Sequence, residues 1–353
     1  MKIDALASAM KIASMIPNSS SFRPLYKSVE FGPKSIRVCS EFGNLEICFE
    51  AGLDEPVLLD CEAVDVIVRR LPLYGEVFFE KQGGRVRWTT DSRSGYLHVV
   101  QQEHEIPKLS HSSYPWKPPD RFGDALVFAS SSIQAASVSF GRYGVVIEPR
   151  GEILRLVSTN GISMSVVVVP APGHVIQDRT TLRPPVPEIL VGLLGLHPNL
   201  VMDVTEKGIF LEDCELRAHL PLSSPLETDL CGLADKYSGG NIRVEIDAAA
   251  AKEFLSVAKA LTDKHSDSIV QIRAEAGNLI LQHKSVASST EEYLLARGLD
   301  SSTDYAPVSF PVTLFVVPLA DVNTLILDYL PEKVLILHQD EPTLEFSYII
   351  GGG

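Results

Sequence analysis

Residues 60–72, Asp60-Cys61-Glu62-Ala63-Val64-Asp65-Val66-Ile67-Val68-Arg69-Arg70-Leu71-Pro72, run into GEVFFEKQGGRVRWTT at 75–90, and this stretch decides how the chain is read. Apolar residues recur at helical spacing as far as Leu71. They stop at Pro72, because proline disfavours a helical conformation at the residue before it. Two strand-like runs follow and meet at Gly83-Gly84, the signature of a hairpin. The unit is therefore helix, proline stop, hairpin.

The unit recurs twice. PPVPEILVGLLGLHP (184–198) precedes NLVMDVTEKGIFLEDCELRAHLP (199–221), with a turn at Glu206-Lys207-Gly208. PLADVNTLILDYLP (318–331) precedes EKVLILHQDEPTLEFSYII (332–350), with a turn around Asp340-Glu341-Pro342. The stop prolines Pro72, Pro198 and Pro331 are 126 and 133 residues apart, a domain-sized period rather than a solenoid repeat. Each third also opens on an Ala/Ser-rich helix candidate, at Ala5 to Ile16, Ser130 to Phe140 and Asp247 to Leu261. Small residues allow such helices to lie close on a sheet. Strand runs follow each one, at 29–50, 143–169, and 269–286 with 291–299. Linkers are expected at the Pro/Ser-rich 107–124 and the Gly/Ser-rich 229–241. The expected architecture is α+β, with domains at 1–119, 120–240 and 241–353.

Composition narrows the function. At 353 residues and 45% apolar, the chain has material for several cores. The N-terminal stretch is broken by Lys2, Asp4 and Lys11 and does not read as a secretory signal. No apolar run is long enough to span a membrane. The five cysteines are scattered without a CxxC pair, as expected of free thiols in a reducing cytosol. No P-loop, GxGxxG, nucleophile elbow or HExxH occurs, and the nine histidines show no ligand spacing. Neither an enzyme nor a cofactor is expected. The net charge of −14 argues against a protein that wraps nucleic acid with its whole surface.

Three tandem repeats of this kind resemble the bacterial DNA polymerase III β sliding clamp. Met1-Lys2-Ile3 and the run from VIVRRLP to GYLHV resemble the family's first domain. Gly151 to Gly161 (GEILRLVSTNG) resembles its E-L-R-x-V-A-T-D-G segment. Ser347-Tyr348-Ile349-Ile350 resembles its Y-V-V terminus. Three departures stand out. Ile162-Ser163-Met164 replaces the family's H-R-L, the loop around Arg142 is trimmed, and Gly351-Gly352-Gly353 stands where an M-P-M-like tail is usual. A divergent, phage-encoded version would fit these changes.

The resemblance implies a non-enzymatic cytoplasmic processivity factor. Two chains would close a ring of six similar domains, with helices lining the hole and sheets outside. Its expected partners are duplex DNA, a second copy of itself, the replicative polymerase and the clamp loader. A sliding ring needs phosphate contacts and no base readout, so only its inward faces need be basic. By thirds the net charge is −1, −5 and −8. The residues expected to meet DNA are Lys11, Arg23, Arg69, Arg70, Arg142, Tyr143, Lys252 and Lys259. By resemblance, a peptide-binding groove would use Thr159, Gly161, Ile162, Met164, Pro225, Ile349 and Ile350. The contact between copies would join the edge around Tyr96 and Val100 to the helix end near Leu261. Alternatives are an acidic three-repeat scaffold or virion protein that does not encircle DNA, a trimeric clamp of two-domain chains, and a hydrolase. Three repeats speak against the trimer, and the missing catalytic motif speaks against the hydrolase.

Overall fold

The structure is a computed structural model that describes residues 1–16, 20–101, 106–109, 114–134, 144–161, 163–226, 228–236, 242–261, 269–275, 278–284, 289–295, 305–311, 324–330, 334–341 and 344–351. In chain order, α1 (Ile3–Ala13) leads to β1 (Ser28–Phe31), β2 (Ser35–Ser40), β3 (Gly43–Cys48) and β4 (Val57–Asp60). Then come α2 (Cys61–Arg70), β5 (Phe78–Gln82), β6 (Arg85–Thr89) and β7 (Ser94–His98). The middle third holds α3 (Phe122–Gln134), β8 (Val145–Arg150), β9 (Ile153–Thr159), β10 (Ser163–Pro170) and β11 (Thr180–Leu182). It continues with α4 (Val186–Leu196), β12 (Val201–Thr205), β13 (Gly208–Glu212), β14 (Leu216–Leu220) and α5 (Leu230–Lys236). The last third holds β15 (Ile242–Asp247), α6 (Ala248–Ala260), β16 (Ile269–Glu275), β17 (Asn278–Lys284), β18 (Ser289–Leu295) and β19 (Tyr305–Pro311). It ends with β20 (Thr324–Leu330), β21 (Val334–Glu341) and β22 (Leu344–Gly351). The fold is α+β with antiparallel sheets.

Local chemistry sets the helix limits. Asp60 caps α2 by accepting a hydrogen bond from the Ala63 amide at 2.8 Å, and Leu71-Pro72 ends it. Asp247 caps α6 in the same way through the Ala249 and Ala250 amides. Hairpin turns fall at Gly83-Gly84 and before Gly208, as the sequence predicts.

Three expectations are corrected. The helix read from 318–331 is not seen over 324–330, where β20 forms instead. Residues 318–323 lie outside the described ones. The run TLILDYL satisfies either period, and ladders to β15 on one side and β21 on the other select the strand. The second opening helix begins at Phe122 rather than Ser130, because Phe122, Ala125, Leu126 and Ala129 already form a buried stripe. The linker at 229–241 contains α5, which buries Leu230, Cys231 and Ala234.

The chain divides into two compact units, each assembled from separated segments. One comprises residues 1–120, 173–177 and 185–223, and the other 121–172, 178–184 and 224–353. The strand order explains the interleaving. A four-stranded motif occurs three times, as β3-β2-β1-β4, β10-β9-β8-β11 and β18-β17-β16-β19. A three-stranded meander also occurs three times, as β5-β6-β7, β12-β13-β14 and β20-β21-β22. In the first unit, β14 of one meander pairs antiparallel with β3. In the second unit, β22 of another pairs antiparallel with β10. Each join makes one continuous sheet from two distant stretches of chain.

The β14–β3 seam leaves no room for a side chain at Gly43. A β-carbon there would stand 2.6 Å from the His219 carbonyl oxygen, and the backbone sits at φ +147°. Gly43→Ala is expected to destabilise the chain by about 1–3 kcal/mol in urea unfolding. Unchanged stability would mean that the seam is not closely packed.

Candidate nucleic-acid interface and peptide groove

Three of the residues expected to meet DNA, Lys11, Arg69 and Arg70, lie on two helices packed together, α1 and α2. Lys11 is exposed in the last turn of α1. Arg69 and Arg70 are exposed in the last turn of α2, where cations also complement the helix dipole. The Arg69 side chain is 72% exposed yet bonds Asp65 at 2.8 Å, one turn back. The Arg70 carbonyl accepts a hydrogen bond from Arg93. Arg23 is exposed after α1, with its guanidinium over the Tyr26 ring and Nη1 donating to the Tyr26 hydroxyl at 3.0 Å. Between these helices a cavity of about 470 Å³ is lined by Lys27 and Arg69 together with Asp60, Glu62 and Asp65. The surface is therefore mixed in charge rather than uniformly basic.

Of the helices in the middle third, α3 and α4 contribute no cation, and α5 carries Lys236 in its last turn. The sequences of α3 and α4 contain no Lys or Arg, and their charged residues are Asp124 and Glu188. Lys252 and Lys259 both lie on α6, seven residues apart, close to two full turns. Arg142 and Tyr143 lie outside the described residues.

The groove residues converge in the second unit. Thr159, Met164 and Ile349 occupy one row across β9, β10 and β22, and Ile350 pairs with Ser163. The segment Thr159-Asn160-Gly161 is held by its own hydrogen bonds. Thr159 Oγ1 donates to the Ser163 carbonyl at 2.7 Å and accepts from the Gly161 amide at 3.0 Å. Asn160 Oδ1 accepts from the Ser163 amide at 2.7 Å. Gly161 has φ +88°, which a β-carbon would strain. Ile162 lies outside the described residues. Met164 is only 7% exposed and packs with Val146, Val157, Leu230, Cys231 and Ala234, with Leu226 against the same cluster. Pro225, beside Leu226, is exposed. Met164 is thus covered by the connector that carries Pro225 and α5.

Sequence reading missed what pins that connector. Glu148 on β8 is buried and receives Arg150, Arg155 and Arg179 at 2.6–2.9 Å. Arg150 and Arg155 also bond Asp235 of α5 at 2.7 and 2.5 Å, and Arg179 bonds Asp229 at 2.9 Å. Arg155 donates further to the Cys231 carbonyl. Three guanidinium groups thus meet three carboxylates, so the buried charge is compensated. Burial pushes the Glu148 carboxyl up, but the Arg150 hydrogen bond and the Arg155 charge outweigh it and leave it low. Hydrogen bonds from Arg150 and Arg155 hold the Asp235 carboxyl down at about 2. Only the alternation of Glu148, Arg150 and Arg155 along adjacent strands hinted at this network.

No family model matches the sequence, and no curated protein matches it. Solved structures do. The chain superposes over its full length on 98% of the Caulobacter crescentus pol III beta (TM-score 0.83, 13% identity). The DNA polymerase III subunit beta from Pseudomonas aeruginosa gives a TM-score of 0.80 at 14% identity with the same coverage. The DNA polymerase III beta subunit from Thermotoga maritima gives 0.81 at 14%. The fold is that of the DNA polymerase III beta sliding clamps.

Because the folded pKa of Asp235 is depressed, its contribution to stability is present above about pH 3.8 and is lost as pH falls through about 2. Asp235→Asn should therefore lower the melting temperature at neutral pH and flatten its decline across that window. A wild-type profile in the variant would mean that the network does not hold the connector.

Proposed function

We propose that the chain is a DNA sliding clamp: a non-enzymatic processivity factor whose two copies close a ring around duplex DNA and tether the replicative polymerase. We read its three sequence repeats as three clamp domains, at 1–119, 120–240 and 241–353. One observation carries the proposal. Of three four-stranded motifs and three meanders, two pairs are joined within the chain, at β14–β3 and β22–β10. Among the described residues, β18 and β7 are the counterparts left with an open ladder edge, apart from a single Leu59–Val99 bridge beyond β7. Exposed strand edges are templates for pairing. Joining β7 of one copy to β18 of the next repeats the internal seam, and two such joins close a ring by twofold symmetry. The likeness to clamps of known structure supports the same reading.

The contact between copies follows from that seam. Tyr96 lies on β7, at this open edge, and is exposed. Leu261, after α6, is also exposed. Val100 has a smaller part, because its amide is already bonded to Leu58 of the same chain. Carrying over the β14–β3 pattern, where Ala218 and Leu45, the third residue of each strand, meet, sets Glu291 opposite Tyr96. With the exposed Cys48 and Cys214 replaced by serine, a Tyr96→Cys, Glu291→Cys chain should cross-link between copies under mild oxidation. A chain that stays uncross-linked while folded would exclude this edge pairing.

In the proposed ring, Lys11, Arg23, Arg69 and Arg70 meet phosphates, joined by Lys252, Lys259 and the Arg142-Tyr143 segment. Such contacts are independent of sequence and allow sliding. The row Thr159–Met164–Ile349 with Pro225 is the proposed docking groove for short peptides of the polymerase and clamp loader, an apolar site with a few polar anchors. The test is retention on nicked circular DNA, with release after linearisation. An acidic scaffold that does not encircle DNA would show neither. Arg69→Glu with Arg70→Glu is expected to shorten retention and reduce its salt dependence. Unchanged retention would remove α2 from the interface.

A further inference from the structure

We propose that the open face of the β5–β7 sheet binds single-stranded nucleic acid, by stacking bases on Phe78 and Tyr96 and meeting phosphates with Arg85 and Arg87. This stands whether or not the ring closes. Strand alternation puts Phe79, Val86 and Leu97 on the buried face of the sheet. The other face carries three rows: Phe78–Thr89–Ser94, Glu80–Arg87–Tyr96 and Gln82–Arg85–His98. Phe78 is 57% exposed and Tyr96 54%. From the strand spacing, their attachment points stand about 12 Å apart, with Arg87 in the strand between.

The two arginines differ from the rest of the sheet arginines whose side chains are described. Arg37, Arg150, Arg155, Arg217 and Arg273 are each bonded to a carboxylate. Arg85 and Arg87 have no side-chain hydrogen bond or ion pair among the described residues. Glu80 lies directly across from Arg87, yet its carboxylate accepts from Gln82 Nε2 at 2.8 Å instead. The three rows of this face hold two Arg against one Glu, within a chain of net charge −14. A locally basic face on an acidic protein calls for an anionic partner. Two exposed rings beside unpaired guanidinium groups select an anion with flat bases over an acidic peptide, because single-stranded nucleic acids bind through stacking together with a basic track. Duplex DNA, whose bases are stacked inside, does not offer those faces.

The test is fluorescence anisotropy of a labelled linear oligo(dT), with unlabelled polyglutamate as competitor. Phe78→Ala and Arg87→Ala, both away from the open β7 edge, should each weaken oligo(dT) binding about tenfold. Tyr96→Phe keeps the ring and should bind as the original chain does. Melting temperatures would confirm that the variants fold. Retention on circular duplex DNA reports the clamp reading separately. Full affinity in Phe78→Ala and Arg87→Ala would overturn the proposal. So would polyglutamate competing as well as oligo(dT), which would show a face that senses charge alone.

Discussion

Everything in this chain depends on a backbone ladder made between stretches far apart in sequence. When β14 pairs with β3, and β22 with β10, the carbonyl and amide rows of two small motifs are satisfied at once. Neither a four-stranded motif nor a three-stranded meander has a second face or edge to spare. Each is completed by a partner from the neighbouring repeat, so the compact units cut across the repeats. The same rule, applied to what remains, leaves one edge of each kind unmet among the described residues. In the proposed ring, assembly continues folding by the same hydrogen bonds.

The fold was legible in sequence where local chemistry and period agreed. Asp60 and Pro72 bracket α2, and Gly83-Gly84 turns the hairpin that follows. Of the three helix-and-hairpin signals, the first two carry a helix where it was read, at α2 and α4. Reading failed where the local pattern was ambiguous, as in Thr324 to Leu330, whose helix or strand state is decided by neighbours on both sides. It failed again at α5, where Gly and Ser suggested a linker but Leu230, Cys231 and Ala234 find an apolar surface to cover.

The candidate sites were legible unevenly. Thr159, Gly161 and Met164 stood out through a motif, and the sheet brings Thr159 and Met164 into one row with Ile349. The ion network around Glu148 was invisible, because Arg179, Asp229 and Asp235 reach it only through the tertiary fold. That network bears on function, since it holds the connector over Met164. Lys11, Arg69 and Arg70 lie exposed on α1 and α2, but the carboxylate neighbours Asp65 and Glu62 were not weighed. With α3 and α4 devoid of cations, the middle third supplies only the Arg142-Tyr143 segment to the proposed phosphate contacts.

An acidic ring with few inward cations would rely on encirclement more than on affinity. Electrostatic attraction fades with salt, whereas a closed ring does not depend on it. The claim on which this account turns is therefore closure itself. Electron microscopy of the purified protein at low resolution tests it most directly. The account predicts closed rings built from two chains with a central opening wide enough for duplex DNA. Isolated monomers, or open chains joined through other surfaces, would contradict it.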